Sequence, residues 1–256
     1  ICGCPRSGTT ALTHVFNWHP NVFVGVERFA NLFKRNSKAM NTDLFTAKRF
    51  SEVIQGDCGY SSFEQMKEYS APYGRRLELN DISTALVVGD KITQLYEDFD
   101  VFEESSWAGE IVIIVQIIRN VFDVARSYEA RNIDPNDKWK FSYVDGIKEW
   151  DRAIERGLDA VASSTSKTRF LVVNYENLFE SGEEQFLLGC NKLIEAIGLD
   201  VSQYVTNGLK KVYEHGERAA KRRIDKTALV VDEEIISKIP EEALNNYNKL
   251  RALAYI

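Results

Sequence analysis

The sequence lacks the cysteine and histidine clusters that a zinc site or a disulfide framework requires. Its 256 residues include only four cysteines and three histidines. Cys2, Cys4, Cys58 and Cys190 form no CxxC pair, and the histidines do not cluster with them. We therefore expect reduced cysteines, a usage typical of a cytoplasmic protein.

Long apolar runs and a surplus of basic residues are also missing. The longest apolar stretch, 111–118, is interrupted by Gln116 and is too short to cross a bilayer, so we expect no membrane segment in this chain. The chain starts at Ile1 without a methionine and inside an expected strand, which leaves an upstream anchor or signal open. A net charge of −6 argues against general binding of nucleic acid.

What the sequence does contain is an alternation of apolar runs and helical periodicities. The runs at 85–89, 111–118 and 169–174 are typical of parallel strands covered on both faces. Helical spacing appears at 9–18, from 121 and at 144–161, and it continues from 183 onward. We expect residues 1–256 to form one domain with a P-loop-type three-layer α/β fold, a central parallel sheet flanked by helices.

The opening segment has the spacing of a phosphate-binding loop. Gly3, Gly8 and Thr10 fit G-x-x-x-x-G-K-[ST], but Thr9 stands where that motif has its lysine. The backbone amides of such a turn and the N-terminus of the following helix bind a terminal phosphate without a lysine. Arg6 would then supply the cation as charge develops on a departing phosphate.

The missing lysine bears on the class of nucleotide. Enzymes of nucleoside triphosphates use that lysine and a magnesium ion to offset the charge of the β- and γ-phosphates, and no convincing second metal-binding aspartate follows a strand here. A 5′-phosphosulfate carries less charge and can do without metal. A P-loop kinase or hydrolase with a degenerate loop stays open as an alternative, as does a nucleotide-binding module without catalysis.

The motifs resemble those of sulfotransferases that use 3′-phosphoadenosine 5′-phosphosulfate (PAPS), especially tyrosylprotein sulfotransferases and their bacterial relatives. The segment PRSGTT, followed by an amphipathic helix and HPN, is similar to the 5′-phosphosulfate loop of that family. The resemblance implies metal-independent transfer with 3′-phosphoadenosine 5′-phosphate (PAP) as product. It also implies nucleotide contacts from the loop residues Arg6, Ser7, Gly8, Thr9 and Thr10.

The segment IIVQIIRNVFDVARSYEARN resembles the family's 3′-phosphate motif. Arg119, at an expected strand end, and Ser127, eight residues later, match the Arg and Ser that hold the phosphate. Arg131 shares a helix face with Ser127 and matches a further Arg that contacts the nucleotide.

Two later segments resemble nucleotide contacts as well. Tyr175 begins a Tyr-Glu-x-Leu turn like the one whose tyrosine contacts the nucleotide, although a core tyrosine is nearly as common at such a place. A late basic segment closes over the 3′-phosphate in the family, and Lys221, Arg222 and Arg223 are its candidates here. The alternative for these three residues is a solvated helical face.

Two further matches concern catalysis. Glu27 falls on the base of the family's Gly-Glu-Glu-Thr segment, although Val26 and Arg28 replace its neighbours. Lys91 matches a strand-end lysine that stabilises the transferring group, and Thr93 stands where cytosolic sulfotransferases have a catalytic histidine. The implied mechanism is in-line transfer, in which Glu27 takes the proton of a hydroxyl while Lys91 and the loop stabilise charge.

The sequence does not identify the acceptor beyond a hydroxyl on a small molecule, a glycan or a peptide tyrosine. Residues 28–73, where an acceptor pocket is expected, carry no recognisable signature. Their aromatic residues Phe29, Phe33, Phe63 and Tyr73 fit an apolar pocket, but aromatics at helical spacing more often form a core.

Overall fold

A computed structural model describes residues 1–70, 74–103, 107, 109–165, 167–226, 235 and 237–256. For residues 69, 70, 103 and 219–226 it describes the backbone alone. Within these ranges no helix combines the length and the apolar character needed to span a membrane.

Two parallel pairs of strands form the centre of the fold: β1 (Val22–Val26) with β2 (Val87–Lys91), and β3 (Val112–Ile118) with β4 (Thr168–Asn174). The first residues of the chain lie between these pairs. On one side the Ile1 carbonyl accepts from the Ile92 amide at 3.0 Å, and on the other the Cys2 carbonyl accepts from the Ile117 amide at 2.9 Å. Residues 1–3 therefore join both pairs into one parallel sheet.

Helices connect the strands and cover the sheet. The α-helices are α1 (Thr9–Asn17), α2 (Ala30–Arg35), α3 (Ala47–Ser51), α4 (Phe63–Ser70), α5 (Leu79–Thr84), α6 (Val121–Asn132), α7 (Tyr143–Ala162), α8 (Tyr175–Phe179), α9 (Glu183–Ala196), α10 (Thr206–Lys226) and α11 (Glu241–Ala252). Short 3₁₀ turns lie at Ser37–Ala39, Thr42–Phe45, Leu95–Glu97, Asp100–Glu103 and Val201–Gln203.

The apolar side chains divide into two cores, one on each face of the sheet. Leu12 of α1 and Phe186 of α9 belong to one core, and Trp150 of α7 and Tyr247 of α11 belong to the other. Strand β3 supplies alternate side chains to both cores, as a strand covered on two faces does. The predicted P-loop-type three-layer α/β fold is confirmed.

Strand β1 is an element that was not expected from the sequence. Its five residues, VFVGV, are all buried, and this apolar, β-branched run of five is the signal that indicates a strand. The other strands, and the helices expected at 9–18 and 144–161, agree with the prediction within two residues. Asn120 caps α6 as expected, because its side chain accepts a hydrogen bond from the Phe122 amide.

Candidate functional site

The residues singled out in the sequence come together at the carboxyl edge of the sheet. The loop 4–8 follows the strand formed by residues 1–3, Glu27 follows β1, and Lys91 ends β2. Arg119 follows β3, and Tyr175 follows β4. In open parallel sheets, ligands bind in the crevice outside this edge.

The loop 4–8 has an unusual backbone. Arg6 and Gly8 have φ angles of 74° and 99°, both in the left-handed region, which costs a residue other than glycine roughly 1–2 kcal/mol. A Cβ atom at Gly8 would lie 2.6 Å from the Tyr175 ring, so the position requires glycine. No described side chain caps the N-terminus of α1, and its first amides are therefore available to an anion.

The remaining loop residues stand at the start of α1. Thr9 and Thr10 open the helix, with Thr9 buried and Thr10 half-buried. Ser7 is buried, and its hydroxyl oxygen has no hydrogen-bond partner in the described part of the chain, although it stands close to the Cys4 thiol. Burial raises the pKa of that thiol, so Cys4 is a neutral neighbour of the loop.

Arg6 joins the loop to α6. Its Nε donates a hydrogen bond to Ser127 Oγ at 2.9 Å. Arg6 itself is exposed, whereas Ser127 is buried. The loop and α6, which we expected to bind opposite ends of a nucleotide, are therefore in direct contact.

Arg119 is a buried cation that stacks on Tyr175, the residue against which Gly8 of the loop packs. Its guanidinium lies 4.0 Å from the centre of the Tyr175 ring, and Nη2 is 3.3 Å from Asp123 and 3.7 Å from Glu180. Its Nε is buried without a hydrogen-bond partner among the described residues. Buried guanidinium groups normally satisfy their donors, so Arg119 retains capacity to bind a further anion.

Arg131 makes contacts with the loop that follows α6. Its guanidinium forms two hydrogen bonds with Asp137, at 2.5 and 2.8 Å, and lies 4.5 Å from the Trp139 ring centre. This pairing lowers the pKa of Asp137 to about 2. The expected nucleotide contact of Arg131 stays a prediction.

Glu27, Lys91 and Thr93 form a connected triad. The Lys91 ammonium donates to Glu27 Oε1 at 2.5 Å and to Thr93 Oγ1 at 3.3 Å, and the Thr93 hydroxyl donates to the same Glu27 oxygen at 3.2 Å. Lys91 is buried, while the Glu27 side chain is 41% exposed. A carboxylate and a cation therefore stand together where the sheet edge opens to solvent.

The backbone of Glu27 is held by residues that were not expected at the site. Glu27 has a φ of 57°, and the next two amides, of Arg28 and Phe29, donate to the Asp90 carboxylate at 3.1 and 2.8 Å. Burial raises the pKa of Asp90 to about 6. One feature of the sequence could have indicated Asp90: it lies beside Lys91 at the end of an apolar run. Strands of a parallel sheet end at the edge where ligands bind.

A second polar cluster below the loop was also not expected. Glu149 of α7 accepts hydrogen bonds from the Tyr128 hydroxyl at 2.7 Å and the Tyr96 hydroxyl at 3.0 Å. Because its members come from three distant segments, no local pattern in the sequence indicates it. In the described ranges, no group of three or more His, Cys, Asp or Glu side chains could hold a metal ion.

The remaining candidates fall into two groups. Phe29, Phe33 and Phe63 are buried in the core, which favours their structural role. Tyr73 and the side chains of Lys221, Arg222 and Arg223 lie outside the described residues, although the backbone of these three belongs to α10.

Similar solved structures include two sulfotransferase domains. One is from the curacin biosynthetic pathway, at 16% identity over 78% of this chain and 73% of that chain, with a TM-score of 0.48. The other is from the Synechococcus PCC 7002 olefin synthase, at 16% identity over 78% of this chain and 72% of that chain, with a TM-score of 0.45. No model of a protein family and no curated protein sequence matches this chain. What the protein does must therefore be inferred from its own residues.

Proposed function

We propose that this protein is a sulfotransferase that moves the sulfuryl group of PAPS to a hydroxyl acceptor. The observation that carries the proposal is the contact between Arg6 and Ser127, together with the buried Arg119, whose guanidinium stacks on Tyr175 next to Gly8. These residues come from the loop before the uncapped start of α1, from the end of β3 and from one face of α6. Together they would supply hydrogen-bond donors and cations to a nucleotide that carries a phosphate group at each of two positions. The proposal assigns the activity to a single domain of residues 1–256.

The anionic ends of the nucleotide would be held by different parts of this edge. The amides at the start of α1, with the Ser7 and Thr10 hydroxyls, would bind the 5′-phosphosulfate. Arg119 and Ser127 would bind the 3′-phosphate, displacing the half-exposed carboxylates of Asp123 and Glu180 from the guanidinium. Such charge-assisted hydrogen bonds are the strong ones in proteins.

The transfer step would then use Glu27 and Lys91, at the ends of β1 and β2. Glu27 accepts the proton of the acceptor hydroxyl as its oxygen bonds to sulfur, and the bond from sulfur to the phosphate oxygen breaks with its electron pair on that oxygen. Arg6 stabilises the charge that develops on the departing phosphate, and Lys91 stabilises charge on the sulfuryl group. PAP is released.

The test is a calorimetric titration with PAP, with and without magnesium, alongside a titration with ATP. We expect magnesium-independent binding of PAP, and we expect the Arg119→Ala and Ser127→Ala variants to weaken it by roughly 10- to 100-fold, because each loses a hydrogen bond to a charged group. Arg152→Ala removes an exposed guanidinium on α7 and is the matched control, expected to bind PAP as the wild type does.

Three results would contradict the proposal. Absence of PAP binding would remove the nucleotide site altogether. A magnesium-dependent preference for ATP would instead favour a P-loop kinase or hydrolase, and PAP binding without any transfer of sulfate would favour a binding module.

A further inference from the structure

Thr93 occupies a central place in the site, although the resemblance noted above gives it no role of its own and only places it where cytosolic sulfotransferases have a histidine. It lies two residues beyond the end of β2, and its backbone carbonyl accepts a hydrogen bond from the Gly3 amide at 3.1 Å. Its side chain touches both Lys91 and Glu27. The backbone of Thr93 thus ties the triad to the start of the loop, and its hydroxyl ties the cation to the carboxylate.

The direction of each hydrogen bond in the triad is fixed by chemistry. An ammonium group only donates, so Thr93 Oγ1 accepts from Lys91 and must direct its own hydrogen to Glu27 Oε1. Oε1 therefore receives two donors, from Lys91 at 2.5 Å and from Thr93 at 3.2 Å. Two donors from different directions restrict the rotation of the carboxylate more than a single flexible lysine would.

The other oxygen of the carboxylate has a different environment. Glu27 Oε2 forms no hydrogen bond with any residue that the structure describes, and the side chain is 41% exposed. The triad therefore divides the two oxygens between separate tasks, with Oε1 bound to the protein and Oε2 open to a ligand.

We propose that Thr93 is a positioning residue, whose hydroxyl holds Glu27 Oε1 so that Oε2 receives the proton of the acceptor hydroxyl. This inference rests on the proposed sulfotransferase function. The proton moves from the acceptor oxygen to Oε2, the acceptor oxygen forms its bond to sulfur, and the phosphate of PAP keeps the electron pair of the broken bond. Neither Thr93 nor Lys91 gains or loses a proton in this step, because both continue to donate their hydrogen bonds to Glu27 Oε1.

The experiment compares Thr93→Val, which keeps the shape but removes the hydroxyl, with Thr93→Ser, which keeps the hydroxyl. Thr84→Val, at an exposed threonine of α5, is the matched control. Turnover is measured with the best acceptor from a panel of phenols, alkyl alcohols and sugars. It is also measured as PAPS hydrolysis, in which water is the acceptor and no acceptor needs to be known.

We expect Thr93→Val to lower kcat by roughly 10- to 100-fold, as loss of a hydrogen bond to a charged base does, while the Kd for PAP changes less than about twofold. Thr93→Ser should recover most of kcat, and Thr84→Val should match the wild type. In a Glu27→Gln background, which lacks the base, Thr93→Val should cause little further loss, because both changes remove one function.

The outcomes separate the two proposals. Wild-type kcat in Thr93→Val, or an equally large loss in the Glu27→Gln background, would overturn the positioning role while leaving the sulfotransferase intact. A folded wild type that neither binds PAP nor turns over PAPS would overturn both. Thermal unfolding of each variant shows whether a loss of kcat reflects loss of the fold.

Discussion

At the scale of single residues, the site depends on Arg28, a side chain with no exposure to solvent. Its guanidinium donates to Asp57 at 3.2 Å and to the backbone carbonyls of Phe50 and Glu52 at 3.1 and 2.7 Å. Because Arg28 follows Glu27 directly, this network anchors the strained turn of the proposed base. Arg28 therefore acts as the anchor of this turn.

Asp57→Ala tests the strength of this anchor. The substitution removes the carboxylate that pairs with Arg28 and leaves a buried guanidinium with carbonyl partners alone, which should lower the free energy of unfolding by roughly 3 kcal/mol. Arg49→Ala removes the other, partly exposed partner of Asp57 and should cost about 1 kcal/mol. Urea unfolding of the three proteins measures both values. Equal losses in the two variants would show that Arg28 does not depend on Asp57.

At the scale of elements, the loop and α1 are fixed by the close approach of Gly8 to Tyr175. Gly8→Ala adds a Cβ atom 2.6 Å from a ring that is itself buried against Arg119, and it also places alanine at a φ of 99°. Gly198→Ala is the matched control, since Gly198 has a φ of 85° but nothing within 4 Å of its added Cβ atom.

Gly198→Ala should therefore lower the free energy of unfolding only by the cost of placing alanine in a left-handed conformation, roughly 1–2 kcal/mol. Its affinity for PAP should stay unchanged. Gly8→Ala should lose more stability and should also weaken PAP binding, because the loop or the Arg119–Tyr175 stack has to move. Thermal unfolding and calorimetry measure the two effects. If the two variants lost the same stability and both kept wild-type affinity, the contact with Tyr175 would not define the loop.

The elements also show what the sequence could predict. Continuous apolar runs indicate β2, β3 and β4, because strands buried on both faces leave a strong local signal. The loop and the start of α1 follow from Gly3, Gly8 and the periodicity behind them. Strand β1 carries a similar signal in its five buried residues, VFVGV, which lead directly into the turn at Glu27.

The sequence could predict only those residues of the site that lie at the ends of strands. Glu27 and Lys91 belong to segments more than sixty residues apart, and only the parallel pairing of β1 with β2 brings them together. The Asp90 contacts with the turn and the Glu149 cluster likewise depend on tertiary packing. Such contacts leave no pattern in a single sequence, so chemistry that depends on them could not be derived from spacing.

At the scale of the whole molecule, two buried groups make opposite contributions to the pH dependence of stability. Burial lowers the pKa of His14 to about 4, with the charges of His215 and Lys91 adding to the effect. The unfolded chain takes up that proton near pH 6.5, so the stability that neutral His14 provides is lost as pH falls from about 6.5 to about 4. Burial raises the pKa of Asp90 to about 6, so its contribution is lost instead as pH rises from about 4 to about 6.

Each of these pKa changes corresponds to roughly 3 kcal/mol, so the two contributions should oppose one another between pH 4 and 6 in the wild type. His14→Gln removes one of them and should gain stability relative to the wild type as pH falls from 6.5 to 4. Asp90→Asn removes the other and should lose relative stability over the same range.

The difference in unfolding free energy between each variant and the wild type, from urea unfolding at several pH values, isolates the group that was removed. Differences that stay constant with pH would mean that neither group titrates differently in the folded protein. Opposite slopes would show that the molecule balances a neutral histidine of α1 against a protonated carboxyl next to the turn of the proposed base.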